Sequence, residues 1–134
     1  MSYLGVSPSL TAITVSDIAD DLITSAKLNY AEATLTDESS ITWDASTQDV
    51  AKVTLAGNRT LGSASSGTTG QFISLLIIQD GTGSRTLTWN AAYEFASDTA
   101  PTLTTTAALG DLFVFRYNGS KWLEVGRNQA LTLS

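Results

Sequence analysis

Gln79-Asp80-Gly81-Thr82-Gly83-Ser84-Arg85-Thr86-Leu87-Thr88-Trp89 joins the most apolar run of the chain, Phe72 to Ile78, to an alternating run through a turn bracketed by two glycines. Two strand-like runs separated by Gly-rich turn residues predict a β-hairpin. Phe72 to Gln79 is apolar nearly throughout, as in a strand covered on both faces. Arg85, Leu87 and Trp89 alternate with Thr86 and Thr88, as in a half-exposed neighbour.

Further strands are expected on either side. Asp111 to Tyr117 and Lys121 to Val125 flank Asn118-Gly119-Ser120, and Asn-Gly between strand patterns is a strong short-range hairpin signal. Upstream, Ile41 to Asp44 and Val50 to Leu55 alternate or nearly so about the turn-forming Ala45 to Asp49. Gly57-Asn58-Arg59 predicts a turn before Thr60-Leu61. Gly62 to Gly70 is rich in Gly, Ser and Thr and is expected to lie outside the core as the most mobile part of the body. Tyr93 and Phe95 follow, Pro101 interrupts the pattern, and Arg127 to Ser134 reads either as an edge strand or as a segment packed on another chain.

Composition bounds the rest. A chain of 134 residues with 43% hydrophobic content supports one core plus an appendage. Few charges and many Ser and Thr residues suit strand surfaces better than long solvated helices. The expected fold is all-β: an antiparallel β-sandwich or jelly-roll-like body over 39–134, with an extended N-terminal arm over 1–38. One short helix is expected in the arm, with Ser16 as N-cap, Asp17, Asp20 and Asp21 near its positive end, and Ile18 and Leu22 on one face.

Several function classes are excluded by what is missing. With no cysteine and no histidine, the chain has no thiolate nucleophile, no imidazole base and no Ser-His-Asp arrangement. A net charge of −6 and scattered cations argue against a nucleic-acid partner. Neither a signal peptide nor a run long enough to span a bilayer is expected, so no membrane role is anticipated. Carboxylates near one another in sequence, Asp17 with Asp20 and Asp37 with Glu38, read as solvated charge rather than as a glycosidase pair. Asp80 to Ser84 lacks the repeated acidic spacing of a calcium loop and reads as a turn. Asn58-Arg59-Thr60 and Asn118-Gly119-Ser120 match the glycosylation triplet but sit in turns. No catalytic residue, cofactor or metal is expected, and the protein is not expected to be an enzyme.

Trp43, Trp89 and Trp122, with Tyr93 and Tyr117, offer two readings: a sugar-stacking platform, or core and intersubunit packing. Each tryptophan falls inside a strand pattern, which favours packing and predicts buried indoles at Trp43 and Trp89. Arg59, Arg85 and Arg116 are expected to orient turns by pairing with strand-end aspartates such as Asp44, Asp80 or Asp111.

From Ile41 to Val125 the order of landmarks is Trp-Asp, then Val-Thr-Leu with Gly-Asn-Arg-Thr-Leu, then the apolar strand ending Gln-Asp-Gly-Thr-Gly-Ser-Arg-Thr-Leu, then Ala-Pro-Thr-Leu, then the Asn-Gly hairpin. This order resembles a β-rich module of phage virion proteins such as tail fibres, head fibres and capsid decorations. In the arm, Ser16-Asp17-Ile18-Ala19-Asp20 followed by Ile23 to Leu28 resembles a linker pattern of phage fibre and virion-attachment proteins. The resemblance implies a virion structural protein made in the bacterial cytoplasm, a homotrimer, and attachment to the major capsid protein or another virion protein. The proposed attachment residues are Ile18, Leu22, Ile23 and Leu28. A short arm and one β-body, without a long repetitive shaft, favour a capsid decoration or head-fibre subunit. The alternative is a short tail-fibre or tail-tip subunit that binds host surface glycans.

Overall fold

The structure is a computed structural model, and it describes residues 31–134. The expected arm helix and the four attachment positions Ile18, Leu22, Ile23 and Leu28 lie outside the described residues.

Among those residues, nine strands follow one another: β1 (Ala33–Thr34), β2 (Ser40–Ile41), β3 (Val50–Leu55), β4 (Arg59–Leu61), β5 (Phe72–Gln79), β6 (Leu87–Trp89), β7 (Tyr93–Glu94), β8 (Leu109–Tyr117) and β9 (Trp122–Thr132). A single 3-10 turn over Ala96–Asp98 interrupts them. The strands form a six-stranded sheet in the order β1-β3-β5-β8-β9-β7 and a three-stranded sheet in the order β2-β4-β6. These sheets enclose a common core, giving the expected all-β, sandwich-like body.

Strand pairing differs from the antiparallel expectation. The chain crosses from one sheet to the other with each successive strand from β1 to β6, so strands of the same sheet lie one turn of the chain apart and run parallel. Ala33 stands opposite Ala51, Val50 opposite Ser74, Ser40 opposite Thr60, and Arg59 opposite Leu87. Parallel neighbours need a long crossover, and here the crossover is a strand of the other sheet. The result is a short coil of three rungs, β1/β2, β3/β4 and β5/β6. A further parallel bridge between Asp44 and Ser65 continues the stacking where the chain returns to the large sheet. After the third rung the chain turns back: β8 lies antiparallel on β5, β9 antiparallel on β8, and β7 joins β9 in parallel.

The segment from Gln79 to Trp89 is therefore a rung corner and not a hairpin. β5 pairs with β3 and β8, whereas β6 pairs with β4 in the other sheet. The side chain of Gln79 explains how the corner forms. Its Nε2 donates to the Arg85 carbonyl at 2.9 Å and its Oε1 accepts from the Arg85 N–H at 2.8 Å, so this buried amide stands in for a strand partner. Gly83 has φ +73°, and a Cβ there would come within 2.6 Å of the Thr105 carbonyl oxygen, so the corner requires glycine at this point.

The second expected hairpin is present as β8 and β9. Asn118 Oδ1 accepts from the N–H groups of Ser120 and Lys121, and Gly119 has φ +95°. Residues 127–132 continue β9, so this tail pairs within the chain. At the other end, β1 pairs with β3, Leu35 is buried and Asp37 is bonded to Arg59, so the first rung draws on residues that the sequence groups with the arm.

Two further expectations need correction. Gly62 to Gly70 does not lie clear of the core. Ala64 is buried, its carbonyl accepts from Trp122 Nε1 at 3.0 Å, and a Cβ on Gly67 would sit 2.6 Å from the Trp122 ring. Glycine here lets the loop close over an indole. Nor do the described residues cover β5 on both faces. Ile73, Leu75, Ile77 and Gln79 point inward and are buried, while Phe72, Ser74, Leu76 and Ile78 face outward and are not.

Candidate functional site

Three places on the body concentrate polar or aromatic chemistry: the stacked corners, the aromatic interior, and a groove at the first rung.

The corners hold the charges. Arg59, at the start of β4, reaches back one rung to Asp37, with Nε to Oδ1 and Nη2 to Oδ2 both at 2.8 Å. Gly57 leaves room for that guanidinium, since a Cβ there would sit 2.6 Å from Nη1. One rung further on, Arg85 forks onto Asp80, with Nη2 to Oδ2 at 2.7 Å, and Asp80 also accepts from the N–H groups of Thr82 and Gly83. Asn58 Oδ1 accepts from the Thr86 N–H and ties the two corners together. Planar bidentate pairs fix geometry as well as charge. Hydrogen bonds from Arg85 hold the Asp80 carboxyl down at about 2, and those from Arg59 lower Asp37. Both aspartates are therefore ionised and engaged at neutral pH.

Of these two pairs, Arg85 with Asp80 is the one expected from the sequence, and Arg59 with Asp37 is not. Asp44 instead accepts from the Ser46 hydroxyl and N–H, which lower its pKa. Asp111 is buried and accepts from the Thr104 and Ala130 N–H groups. Arg116 is exposed and has no ion-pair partner among the described residues.

The aromatic residues are committed to packing. Trp43, Trp122 and Tyr93 are buried, and Trp89 and Tyr117 are partly buried against the same core. Trp89 meets Phe113 and Phe95 edge to face, with ring centroids at 4.9 and 5.1 Å, and Tyr117 lies 4.6 Å from Trp122. Tyr93 Oη donates to the Gly62 carbonyl and accepts from the Ala64 N–H, and burial pushes its pKa well above the usual phenol value. Trp43 is buried as expected, with Nε1 bonded to the Gln48 carbonyl. Trp89 is buried only in part, although its Nε1 is shielded from solvent. No stacking platform is assembled from these five side chains.

A groove of about 250 Å³ opens beside the first rung, lined by Thr34, Leu35, Thr36, Thr42, Trp43, Asp44, Gln48 and Ser65. It offers hydroxyls and one ionised carboxylate. Among the described residues no group of three or more potential metal ligands comes together, and no helix is long and apolar enough to cross a membrane.

Stacked strands, corners locked by their own ion pairs and tryptophans packed in or against the core define a β-structural module. Residues 32–122 match the family described as "Putative phage tail fibre C-terminal domain", and the chain belongs to that family. It is a phage virion structural protein of tail-fibre type. The matched span opens at the first rung and closes at Trp122, so it takes in all three rungs and the strand β8 that lies on them. No curated protein matches the chain.

Proposed function

We propose that this protein is a tail-fibre subunit with a purely structural, non-catalytic body, assembled as a homotrimer. The residues ahead of the first rung attach it to another virion protein through Ile18, Leu22, Ile23 and Leu28. The observation that carries this reading is the family match over residues 32–122, which favours a fibre over the capsid decoration or head-fibre placement that the short-arm argument preferred. The corner chemistry supports a non-catalytic role. Asp37 and Asp80 are each neutralised by a bidentate arginine.

Host-glycan binding is a second reading favoured by one observation, the polar groove at the first rung. Its hydroxyls and the Asp44 carboxylate are groups that hydrogen-bond sugar hydroxyls, and Trp43, though buried, forms part of its lining. Gold-labelled antibody raised against the body and applied to intact particles tests the placement. Label on the tail is expected; label spread over the capsid faces would overturn the fibre assignment in favour of a decoration role.

A further inference from the structure

We propose that Asp111 selects the register of the last part of β9, and that without its carboxylate the strand slips by one residue and carries Leu131 and Leu133 to the opposite face of the six-stranded sheet.

β9 has little pattern of its own to hold it in place. Of its 11 residues only Trp122, at the hairpin end, is buried. Register is fixed where alternating apolar side chains meet a buried face, and a strand without that alternation is prone to slippage. The pairing is also irregular. Leu112 stands opposite Asn128 and Gly110 opposite Leu131, so Gln129 and Ala130 together face Asp111. Two residues against one make a β-bulge. Within it Ala130 has φ +57°, a left-handed conformation that is unfavourable for a residue with a Cβ. An unbulged pairing, with Ala130 opposite Gly110 and Leu131 opposite Leu109, would relieve that strain.

Asp111 opposes the relief. Its side chain is buried, and three donors converge on it. Oδ1 accepts from the Ala130 N–H at 2.9 Å, and Oδ2 accepts from the Thr104 N–H at 2.7 Å and from Gln129 Nε2 at 3.2 Å. No ion pair among the described residues includes this carboxylate. The same bonds tie the bulge to the loop ahead of β8. The Ala130 N–H also reaches Thr104 Oγ1 at 3.0 Å, Gln129 Nε2 donates to the Thr102 carbonyl at 2.8 Å, and Leu103 between these two threonines is buried. In the unbulged pairing Gln129 alone would stand opposite Asp111. The Ala130 N–H would move away and leave a buried carboxylate short of a donor, which is costly.

The register decides what the outer face of the sheet presents. A Cβ on Gly110 would sit 3.0 Å from Leu133 Cδ1 and 3.1 Å from Leu76 Cδ1, so Leu133 now lies over Gly110 beside the outward Leu76. A slip of one residue reverses every side chain beyond it and takes Leu133 off that face. Setting register is a well-attested use of a buried polar group.

The chain contains no cysteine, so cysteine pairs introduced into the full-length protein report register through the disulfide they close. Leu109→Cys with Thr132→Cys joins positions that stand opposite each other in the bulged register. Leu109→Cys with Leu131→Cys joins the positions that the slip would bring together. Arg116→Cys with Leu123→Cys, opposite each other near the hairpin end, is the folding control. With Asp111 present the first pair is expected to close and the second to stay open. Asp111→Asn keeps the shape but turns an NH2 group towards donors, and it is expected to shift the ratio of the two cross-links about tenfold towards the second pair with the control unchanged. Adding Ala130→Gly, which removes the left-handed penalty, should bring the ratio back towards the first pair. An unchanged ratio in Asp111→Asn overturns the proposal. Loss of both cross-links with the control intact also overturns it, because the end of β9 would then detach and not slip. Should the control be lost as well, Gln129→Ala at an exposed position is read in the same way: a shift towards the second pair supports the register role, and no shift overturns it.

Discussion

At the residue scale, the fold depends on side chains that act as substitutes for backbone. Gln79 supplies both halves of an amide pairing to Arg85, and Asp80 gathers two backbone N–H groups and a guanidinium at the same corner. Because the Asp80 carboxyl is lowered from 3.8 to about 2 in the folded protein, first through Arg85 and then through Gly83 and Thr82, its contribution has a definite pH signature. The depressed group stabilises the fold fully above the unfolded value and loses that contribution as pH falls from 3.8 towards about 2. Asp37, lowered by Arg59, acts in the same direction. Denaturant midpoints measured across that window should fall with pH in the wild type and fall less steeply in Asp80→Asn, whose midpoint at neutral pH should already be reduced. Parallel curves for the two proteins would show that the corner pair does not report on stability.

At the element scale, register decides which apolar residue matters. Leu75 points into the core and Leu76 outward, one residue apart on β5. Leu75→Ala should cost about 2–5 kcal/mol in chemical denaturation of the isolated chain, and Leu76→Ala about 1 kcal/mol or less under the same conditions. Equal losses would mean that the strand is covered on both faces within one chain. Position and type of most strands were legible in the sequence, because alternation and turn residues are local signals: Val50 to Leu55, Phe72 to Gln79 and the pair about Asn118-Gly119 all stand where those signals lie. The partner of each strand was not legible. A glycine-bracketed turn after an apolar strand looks the same whether the chain folds back on itself or crosses to another sheet. The deciding contacts, Gln79 with the Arg85 backbone and Arg59 with Asp37 a rung away, leave no periodic trace. The outer apolar face was partly visible, since a strand apolar on both sides announces a need for two covers. That the second cover is missing from the described body emerged only from the three-dimensional arrangement.

At the scale of the whole molecule, three stacked rungs, antiparallel strands laid on the last rung and a largely apolar outer sheet face describe a part made to be joined to others. The arm belongs to the same logic. Particles assembled with Ile18→Asp and Leu22→Asp together should lack the protein while the purified variant keeps the β-rich circular dichroism of the wild type; normal incorporation would remove these positions from the attachment role. The Trp43, Trp122 and Tyr93 side chains are held in the interior, and Trp43 also lines the first-rung groove.

An assembled structural subunit has a native mass that is a multiple of the chain mass, and equilibrium sedimentation of the full-length protein reads that mass. A mass of three chains that holds on moderate dilution is the predicted result. A single-chain mass persisting to the highest attainable concentration would contradict it, and would leave a module that is joined to the virion one copy at a time.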